Sequence, residues 1–241
     1  MNKRRIWELD ALRGVCILGM ILFHLYFDLT YLYGLLDWEL PDFLKSVQLI
    51  GGGIFLVLSG VCVTLGSHCV RRGLIVFGCG MACTLTTGMM YALGFADTGV
   101  VIRFGVLHCL GICMLLWPLV KKLPSWALAV LGVVIAAVGC WLDWGNVYVQ
   151  TPFLFPLGLI RWDFQSGDFY PLLPCLGWFL LGAVLGRILY GRRVSLFPKV
   201  NPNLLPLRFL QFVGRHSLPI YLLHQPLLTA ILEIITLLVK K

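Results

Sequence analysis

The feature that most constrains this chain is a series of apolar runs, each about 20 residues long, which recur along its length. A run of about 20 apolar residues can cross a hydrocarbon layer about 30 Å thick. Hydrophobic residues make up 59% of the 241 residues and charged residues only 12%, which leaves too little polar surface for a soluble domain. The sequence therefore predicts an all-α, polytopic integral membrane protein.

Seven of the apolar runs are predicted to be transmembrane helices of a single domain, residues 1–241. A further apolar segment, 152–160, is too short to cross and is expected to be re-entrant or interfacial. The seven predicted spans cover about residues 10–36, 44–66, 73–95, 102–120, 125–142, 172–190 and 216–239.

The distribution of lysine and arginine predicts the orientation of the spans. With the N-terminus in the cytoplasm, thirteen of these residues flank the spans on the inner side and five on the outer side, as the positive-inside rule requires. The net charge of +8 is therefore a topology signal and predicts no nucleic-acid partner. We expect a multi-pass protein of a bacterial plasma membrane. The inner residues are Lys3, Arg4, Arg5, Arg71, Arg72, Lys121, Lys122, Arg187, Arg192, Arg193, Lys199, Arg208 and Arg215, and the outer ones are Lys45, Arg103, Arg161, Lys240 and Lys241.

Ionisable residues interrupt the first predicted span at Arg13, His24 and Asp28. Each costs several kcal/mol in hydrocarbon, about 2.5–3.5 on insertion scales, so such residues usually face a cavity or a partner. His24 and Asp28 are four residues apart, which places both on one helix face. Because a general base is often a histidine oriented by a carboxylate, we predict that these two residues form a catalytic pair.

Two further histidines lie inside predicted spans, at His108 and His224. From the rise per residue of a helix, His24 and His108 lie at comparable depths in the outer half, and His224 lies near or below the midplane. We expect the three to converge on a cavity open to the outside. In that cavity, Arg103 or His108 would stabilise the negative charge that develops on a carbonyl oxygen when a nucleophile attacks it.

The residues around the start of the last span predict a site for an anion. Gly214 to Pro219 is interpreted as a loop that enters a helix, with Ser217 as its N-cap. Free N–H groups, the helix dipole and the adjacent Arg215 suit a phosphate group. Arg13 adds to this site, although an i,i+3 pair with Asp10 is an equal alternative for its side chain. This polarity suggests a phosphorylated cofactor that enters from the cytoplasm.

Three separated segments carry a resemblance to a known family. Over nearly the whole chain the sequence resembles the catalytic domain of the heparan-α-glucosaminide N-acetyltransferase family. The spacing of Arg13 and His24 is also similar to the Arg/Lys…His motif of the wider membrane O-acyltransferase group. The segments are Arg4-Arg5-Ile-Trp-Glu-Leu-Asp10-Ala-Leu-Arg13-Gly14 with His24 and Phe27-Asp28 after it, Arg103-Phe-Gly-Val-Leu-His108-Cys-Leu-Gly111, and Gly214-Arg215-His216-Ser217-Leu-Pro-Ile-Tyr221-Leu-Leu-His224-Gln225-Pro226.

The resemblance implies a polytopic enzyme that moves an acyl group from cytoplasmic acyl-CoA to an acceptor, mostly a sugar, on the far side of the membrane. It implies that Arg13 helps to hold the cofactor and that His24 is the essential histidine. We predict transfer of an acetyl or short acyl group to a sugar hydroxyl or amine, without a metal, by a monomer or a homodimer. The predicted residues are His24, Asp28 and His108 for catalysis, Arg13, Arg215, His216, Ser217 and His224 for acetyl-CoA, and Arg103, Trp38 and Asp168 for the acceptor.

Two functions from other classes remain open at this point. A haem-binding electron carrier would use His24, His108 or His224 as axial ligands. A proton-coupled transporter would use His24 and Asp28 as a relay. Within the transferase hypothesis, direct transfer and a covalent acyl-His24 intermediate are both compatible with the sequence.

Overall fold

The computed structural model describes residues 5–38, 42–145 and 147–239, and within these ranges it contains α-helices and no β-strand. The prediction of an all-helical membrane protein is confirmed. Lys3, Arg4, Lys240 and Lys241, which entered the predicted orientation, lie outside the described residues. The helices are α1 (Trp7–Phe27), α2 (Asp42–Leu65), α3 (Cys69–Ala92), α4 (Val106–Val120), α5 (Ser125–Trp144), α6 (Leu172–Leu189), α7 (Leu205–Arg215) and α8 (Ser217–Val239).

Five helical segments in the described part of the chain are long and apolar enough to cross a membrane, and two apolar helices are shorter. Each of the seven predicted spans overlaps one of these segments. The apolar segment 152–160 contains a single 3₁₀ turn, Phe155–Leu157, and no span. The five long segments are Trp7–Leu32, Cys69–Ala92, Ser125–Trp144, Leu172–Leu189 and Ser217–Leu238, and the shorter ones are Gly51–Leu65 and Val106–Val120.

The predicted loop before the last span is wrong, because residues 205–215 form α7. Pro206 in the first turn favours the start of a helix, and Arg208, Gln211 and Arg215 repeat at three- and four-residue spacing as one polar face. The prediction missed this short amphipathic helix because it lies in the segment between two predicted spans, which was interpreted as a loop. A helix of 11 residues rises only about 16 Å, so α7 is too short to cross a membrane.

Ser217 is the first residue of α8 and not its N-cap, which corrects the predicted cap. His216 alone separates α7 from α8. Its carbonyl accepts a hydrogen bond from the N–H of Ile220 at 3.1 Å, which is the first bond of the new helix. His216 therefore occupies the N-cap position that was predicted for Ser217.

The described chain divides into two compact units, Met1–Phe55 with Val194–Lys241, and Leu56–Arg193. In the first unit, α1 packs along α7 and against α8. In the second, α3 packs on α4, α5 packs on α6, and α4 also contacts α6. The first and last parts of the sequence thus form one unit, which contains His24 and His224.

Two glycines allow α1 and α7 to approach closely. A Cβ atom added at Gly14 would overlap the carbonyl of Leu210, and one added at Gly214 would overlap the carbonyl of Asp10. In lipid, such close approach of small residues is a principal source of helix association. Gly14 and Gly214 therefore have a packing role within the two motifs that contain them.

We expect Gly14→Val to lower the thermal unfolding midpoint of the detergent-solubilised protein by about 3–10 °C, since overpacking costs about 1–3 kcal/mol. The matched control is Gly19→Val on the same helix, where an added Cβ meets no atom of the described residues within 4 Å. Equal midpoints for the two variants would show that the α1–α7 contact does not need a glycine.

Candidate active site

Two histidines from opposite ends of the sequence meet inside the first unit. His24 of α1 and His224 of α8 have ring centroids 4.9 Å apart, and the rings are tilted by 56°. His224 is buried, with 9% of its surface exposed. The sequence predicted that these histidines converge, but it placed His224 deeper than His24. The contact shows that depth counted along straight, parallel helices misplaces one of them.

The tautomer of His224 follows from its hydrogen bond to the backbone. Nδ1 lies within hydrogen-bond distance of the carbonyl oxygen of Tyr221. A carbonyl oxygen only accepts, so Nδ1 carries the proton, and in the neutral ring Nε2 holds a lone pair. Within the described residues, Nε2 of His224 is buried and has no hydrogen-bond partner. A buried acceptor without a partner is uncommon, and a water molecule, an ion or a ligand can supply the missing donor or charge.

Asp28 pairs with α8 and not with His24. It is 1% exposed, and its Oδ1 and Oδ2 accept hydrogen bonds from Nε2 of Gln225 at 3.0 and 2.9 Å. The predicted His24–Asp28 pair is thus replaced by a bond between helices. The helical spacing on which the prediction rested is present, because the N–H of Asp28 bonds to the carbonyl of His24 and the π-helical turn, Asp28–Leu32, begins only there. The partner is decided by burial instead: a buried carboxylate needs a donor, which the Gln225 amide supplies.

Two polar atoms of the cluster formed by His24, Asp28, His224 and Gln225 are available as hydrogen-bond acceptors. Oε1 of Gln225 is buried and, like Nε2 of His224, has no partner among the described residues. These two atoms can each accept a hydrogen bond from a further donor. A bound substrate with an N–H or O–H group would supply one, and Nε2 of His224 is able to take its proton.

The geometry of the histidine pair argues against its use as two axial haem ligands. Such ligands stand on opposite faces of the macrocycle, with each ring nitrogen about 2 Å from the metal. Ring centroids of His24 and His224 only 4.9 Å apart leave no room for a porphyrin between the rings.

Arg13 is available for a ligand, whereas Arg215 is engaged by other side chains. Nε of Arg215 donates to Asp10 at 3.1 Å and its Nη2 donates to Gln211 at 2.9 Å. Asp10 is therefore paired with Arg215, which disfavours its predicted alternative pairing with Arg13. Nε of Arg13 is buried without a hydrogen-bond partner in the described part of the chain. A bound anion would satisfy it.

His216 and Ser217 lie at the junction of α7 and α8. His216 is exposed, its Nδ1 is 2.9 Å from the carbonyl oxygen of Phe212, and its ring lies 4.5 Å from that of Phe212. Ser217 is half-buried. Their cofactor-binding role stays a prediction, as does that of Arg215.

His108, in the second unit, has both ring nitrogens engaged. Nδ1 accepts the N–H of Gly105 at 3.2 Å, so Nε2 carries the proton and points to Oγ1 of Thr84 at 3.1 Å. The Thr84 hydroxyl in turn donates to the carbonyl of Ile102 at 2.6 Å. His108 is 2% exposed and stacks on Phe104. These satisfied bonds fit a packing role and argue against the predicted catalytic one.

Asp168 caps α4 from the loop that precedes α6. Its Oδ2 accepts the N–H of Val106, the first residue of α4, at 3.0 Å. This is the favourable place for a carboxylate at a helix N-terminus. Burial and the nearby Asp168 carboxylate raise the pKa of Tyr170 to about 12, so this phenol stays protonated. The capping bond occupies one oxygen of the carboxylate that was predicted to bind the acceptor.

Arg103 lies on an exposed loop of the second unit. Its Nε donates to the carbonyl of Gln165 at 2.9 Å, and its guanidinium lies 6.0 Å from the centroid of the Phe164 ring. It borders a shallow cavity of about 200 Å³, which Arg161 and Thr151 also line. This is compatible with the predicted contact to an acceptor. Its predicted convergence with His24 stays a prediction.

Trp38 belongs to an aromatic cluster at the end of the first predicted span. Its carbonyl accepts a hydrogen bond from the Tyr26 hydroxyl at 2.9 Å, and the two rings meet edge-on at 6.2 Å. The indole is 55% exposed. These contacts fit an interfacial anchor and leave the predicted acceptor role untested.

Sequence reasoning missed Gln225 and the backbone carbonyl of Tyr221. Gln225 gave a signal, because an uncharged polar residue inside an apolar span commonly bonds to another helix. The carbonyl gave none, since every residue has one.

An all-helical membrane protein with a buried, partly unsatisfied histidine cluster is the class that this fold and site define. The chain matches the family model described as heparan-alpha-glucosaminide N-acetyltransferase, catalytic, over residues 5–226. Since the match covers most of the chain, the protein belongs to this family, and it is an integral membrane protein of the acetyltransferase class. No curated protein matches it, and no solved structure does.

Replacement of Asp168 tests its capping role. We expect Asp168→Ala to lower the free energy of unfolding by about 0.5–2 kcal/mol, because the N-terminus of α4 loses its acceptor. Asp163→Ala is the control: it removes an exposed ion pair to Arg161 at 2.9 Å, worth about 0–1 kcal/mol. Thermal unfolding in detergent gives the comparison. An unchanged midpoint with weaker acceptor binding in Asp168→Ala would instead support the predicted contact with the acceptor.

Proposed function

We propose that this protein transfers an acetyl or short acyl group from cytoplasmic acyl-CoA to a hydroxyl or amine of a carbohydrate-type acceptor on the outer side of the membrane. The observation that carries the proposal is the His24–His224 pair, in which a buried Nε2 lone pair has no partner among the described residues. Acyl transfer needs a group that takes a proton from the attacking nucleophile, and this nitrogen is chemically suited to that step. Family membership supports the reaction class.

The donor site is proposed at the α1–α7–α8 end of the first unit. Arg13 would bind a phosphate of acyl-CoA through its unpartnered Nε, and His216 and Ser217 would contribute from the junction of α7 and α8. Arg215 would hold this site in shape through its ion pair to Asp10. The thioester would extend along α1 toward His24.

The acceptor is proposed to approach over loops that are rich in aromatic and charged side chains. In the second unit, taken by itself, Arg103 and Arg161 border the cavity of about 200 Å³. In the first unit, Trp38 is an exposed aromatic side chain at the end of the first predicted span. Aromatic faces and fixed polar groups together suit the apolar and hydroxylated surfaces of a sugar.

Turnover by the purified protein tests the proposed function. With acetyl-CoA and a glucosamine-type acceptor in detergent, wild type is expected to release free CoA only when acceptor is present, and His24→Ala is expected to lose most of this activity. The matched control is His68→Gln, an exposed histidine in the turn between α2 and α3. Acetyl-CoA binding without turnover would reject the acceptor. The absence of binding would reject the donor, and flux of a substrate across vesicles without CoA release would favour a transporter.

Removal of the Arg13 charge is expected to weaken donor binding. Arg13→Gln should raise the Kd of acetyl-CoA roughly 10-fold or more, because a charge-assisted hydrogen bond is worth about 1.5–3 kcal/mol. Arg208→Gln removes the same charge from an exposed position on α7 and should leave Kd unchanged. Equal Kd values for Arg13→Gln and wild type, from equilibrium binding, would place the donor phosphates elsewhere.

A further inference from the structure

We propose that His224, and not His24, is the proton acceptor of the transfer reaction, and that Gln225 and Asp28 position it. This inference rests on the proposed function. His224 was predicted from the sequence to bind the cofactor, and the resemblance assigned the essential role to His24. We distinguish the two histidines by their hydrogen bonds: the ring of His224 has a fixed orientation, and its Nε2 lone pair has no partner among the described residues.

The orientation of His224 is fixed by its own helix. The Tyr221 carbonyl lies one turn earlier on α8 and accepts a hydrogen bond from the Nδ1–H group of His224. The bond therefore selects both the tautomer and the direction of the ring, as a general base requires. The described contacts of His24 are ring contacts instead, with Phe23 at 6.3 Å and with His224 at 4.9 Å between centroids. Such contacts position a ring but select no tautomer.

The next residue on α8 ties the same turn to α1. Gln225 donates to both oxygens of Asp28, 197 positions earlier in the sequence. This bond sets the rotation of α8 about its axis and with it the direction in which His224 projects. The same bond holds the Asp28 carboxylate at the turn of α8 that carries His224. A nearby carboxylate stabilises the imidazolium that forms during proton transfer, as the aspartate of a catalytic triad does.

The proposed step balances as follows. A neutral amine or hydroxyl, R–XH, attacks the thioester carbonyl carbon, and the new C–X bond is formed by the lone pair of X while the carbonyl π electrons move to oxygen. Nε2 of His224 takes the proton from X, which leaves an imidazolium beside Asp28. When the tetrahedral intermediate collapses, the C–S bond breaks and its electron pair leaves with sulfur. The Nε2 proton then passes to the thiolate, which releases free CoA–SH and regenerates neutral His224.

In this arrangement His24 is a positioning residue. Its ring lies against that of His224 and limits rotation within the site. Loss of His24 should lower the rate while the group that titrates in the reaction stays in place. Loss of His224 should remove that group. The two histidines are therefore matched controls for each other, because both are buried or half-buried in the same cluster.

The test compares wild type with His224→Gln, His224→Ala, His24→Gln and the exposed control His68→Gln. For each protein, kcat and KM are measured from pH 5 to pH 9 with acetyl-CoA and a glucosamine-type acceptor, and the Kd of acetyl-CoA is measured separately. We expect His224→Gln to lower kcat about 10²–10⁴-fold with little change in the Kd of acetyl-CoA. In wild type, kcat should fall at acid pH because protonation of His224 removes the lone pair, and this fall should be absent in His224→Gln. His24→Gln should keep that decline.

Chemical rescue separates a base from a merely structural histidine. Imidazole added to His224→Ala is expected to restore activity in a saturable manner, because it fills the vacated space and supplies the missing lone pair. No rescue in a His224→Ala protein that still binds acetyl-CoA would overturn the inference. So would a His224→Gln protein with the wild-type pH profile. If wild type itself transfers no acetyl group, the proposed function has failed, and this inference fails with it.

Discussion

The first unit depends on the requirement that a buried carboxylate must find a hydrogen-bond donor. Asp28 is almost fully buried at the end of α1, where an unpaired charge would cost several kcal/mol. The side-chain amide of Gln225 on α8 meets that requirement with bonds to both oxygens. Because Gln225 follows His224 directly, the bond that satisfies Asp28 also turns His224 toward His24. Satisfaction of one polar group thus determines the geometry of the candidate active site.

The other end of the same unit is held by a different interaction. Gly14 and Gly214 let α1 and α7 approach backbone to backbone, and the ion pair between Asp10 and Arg215 lies beside them. The two sequence motifs therefore mix residues of two kinds. Some build the helix contact, whereas Arg13 and His224 present atoms that lack a partner in the described structure. The second kind is available for ligands.

The presence or absence of a hydrogen-bond partner on each ring nitrogen also distinguishes His108 in the second unit from His224 in the first. His108 has a backbone N–H on one ring nitrogen and a threonine hydroxyl on the other, so its hydrogen-bonding capacity is used within the protein. His224 has a carbonyl on one nitrogen and nothing on the other among the described residues. Both are buried histidines at helical positions in apolar spans. What distinguishes them is the set of partners that other segments bring to each ring.

The sequence by itself determined the membrane class, the approximate spans and the family, because hydrophobicity, span length and motif order are local properties that can be read along the chain. It also indicated that His24, Asp28 and His224 are unusual, since ionisable residues rarely lie inside apolar runs. Only the tertiary structure decided that Asp28 bonds to Gln225 and that His224 presents Nε2. Those partners are separated by up to 197 positions in the sequence, and hydrogen bonds are specific to distance and direction. No periodicity along the chain encodes which side chains will meet across two helices.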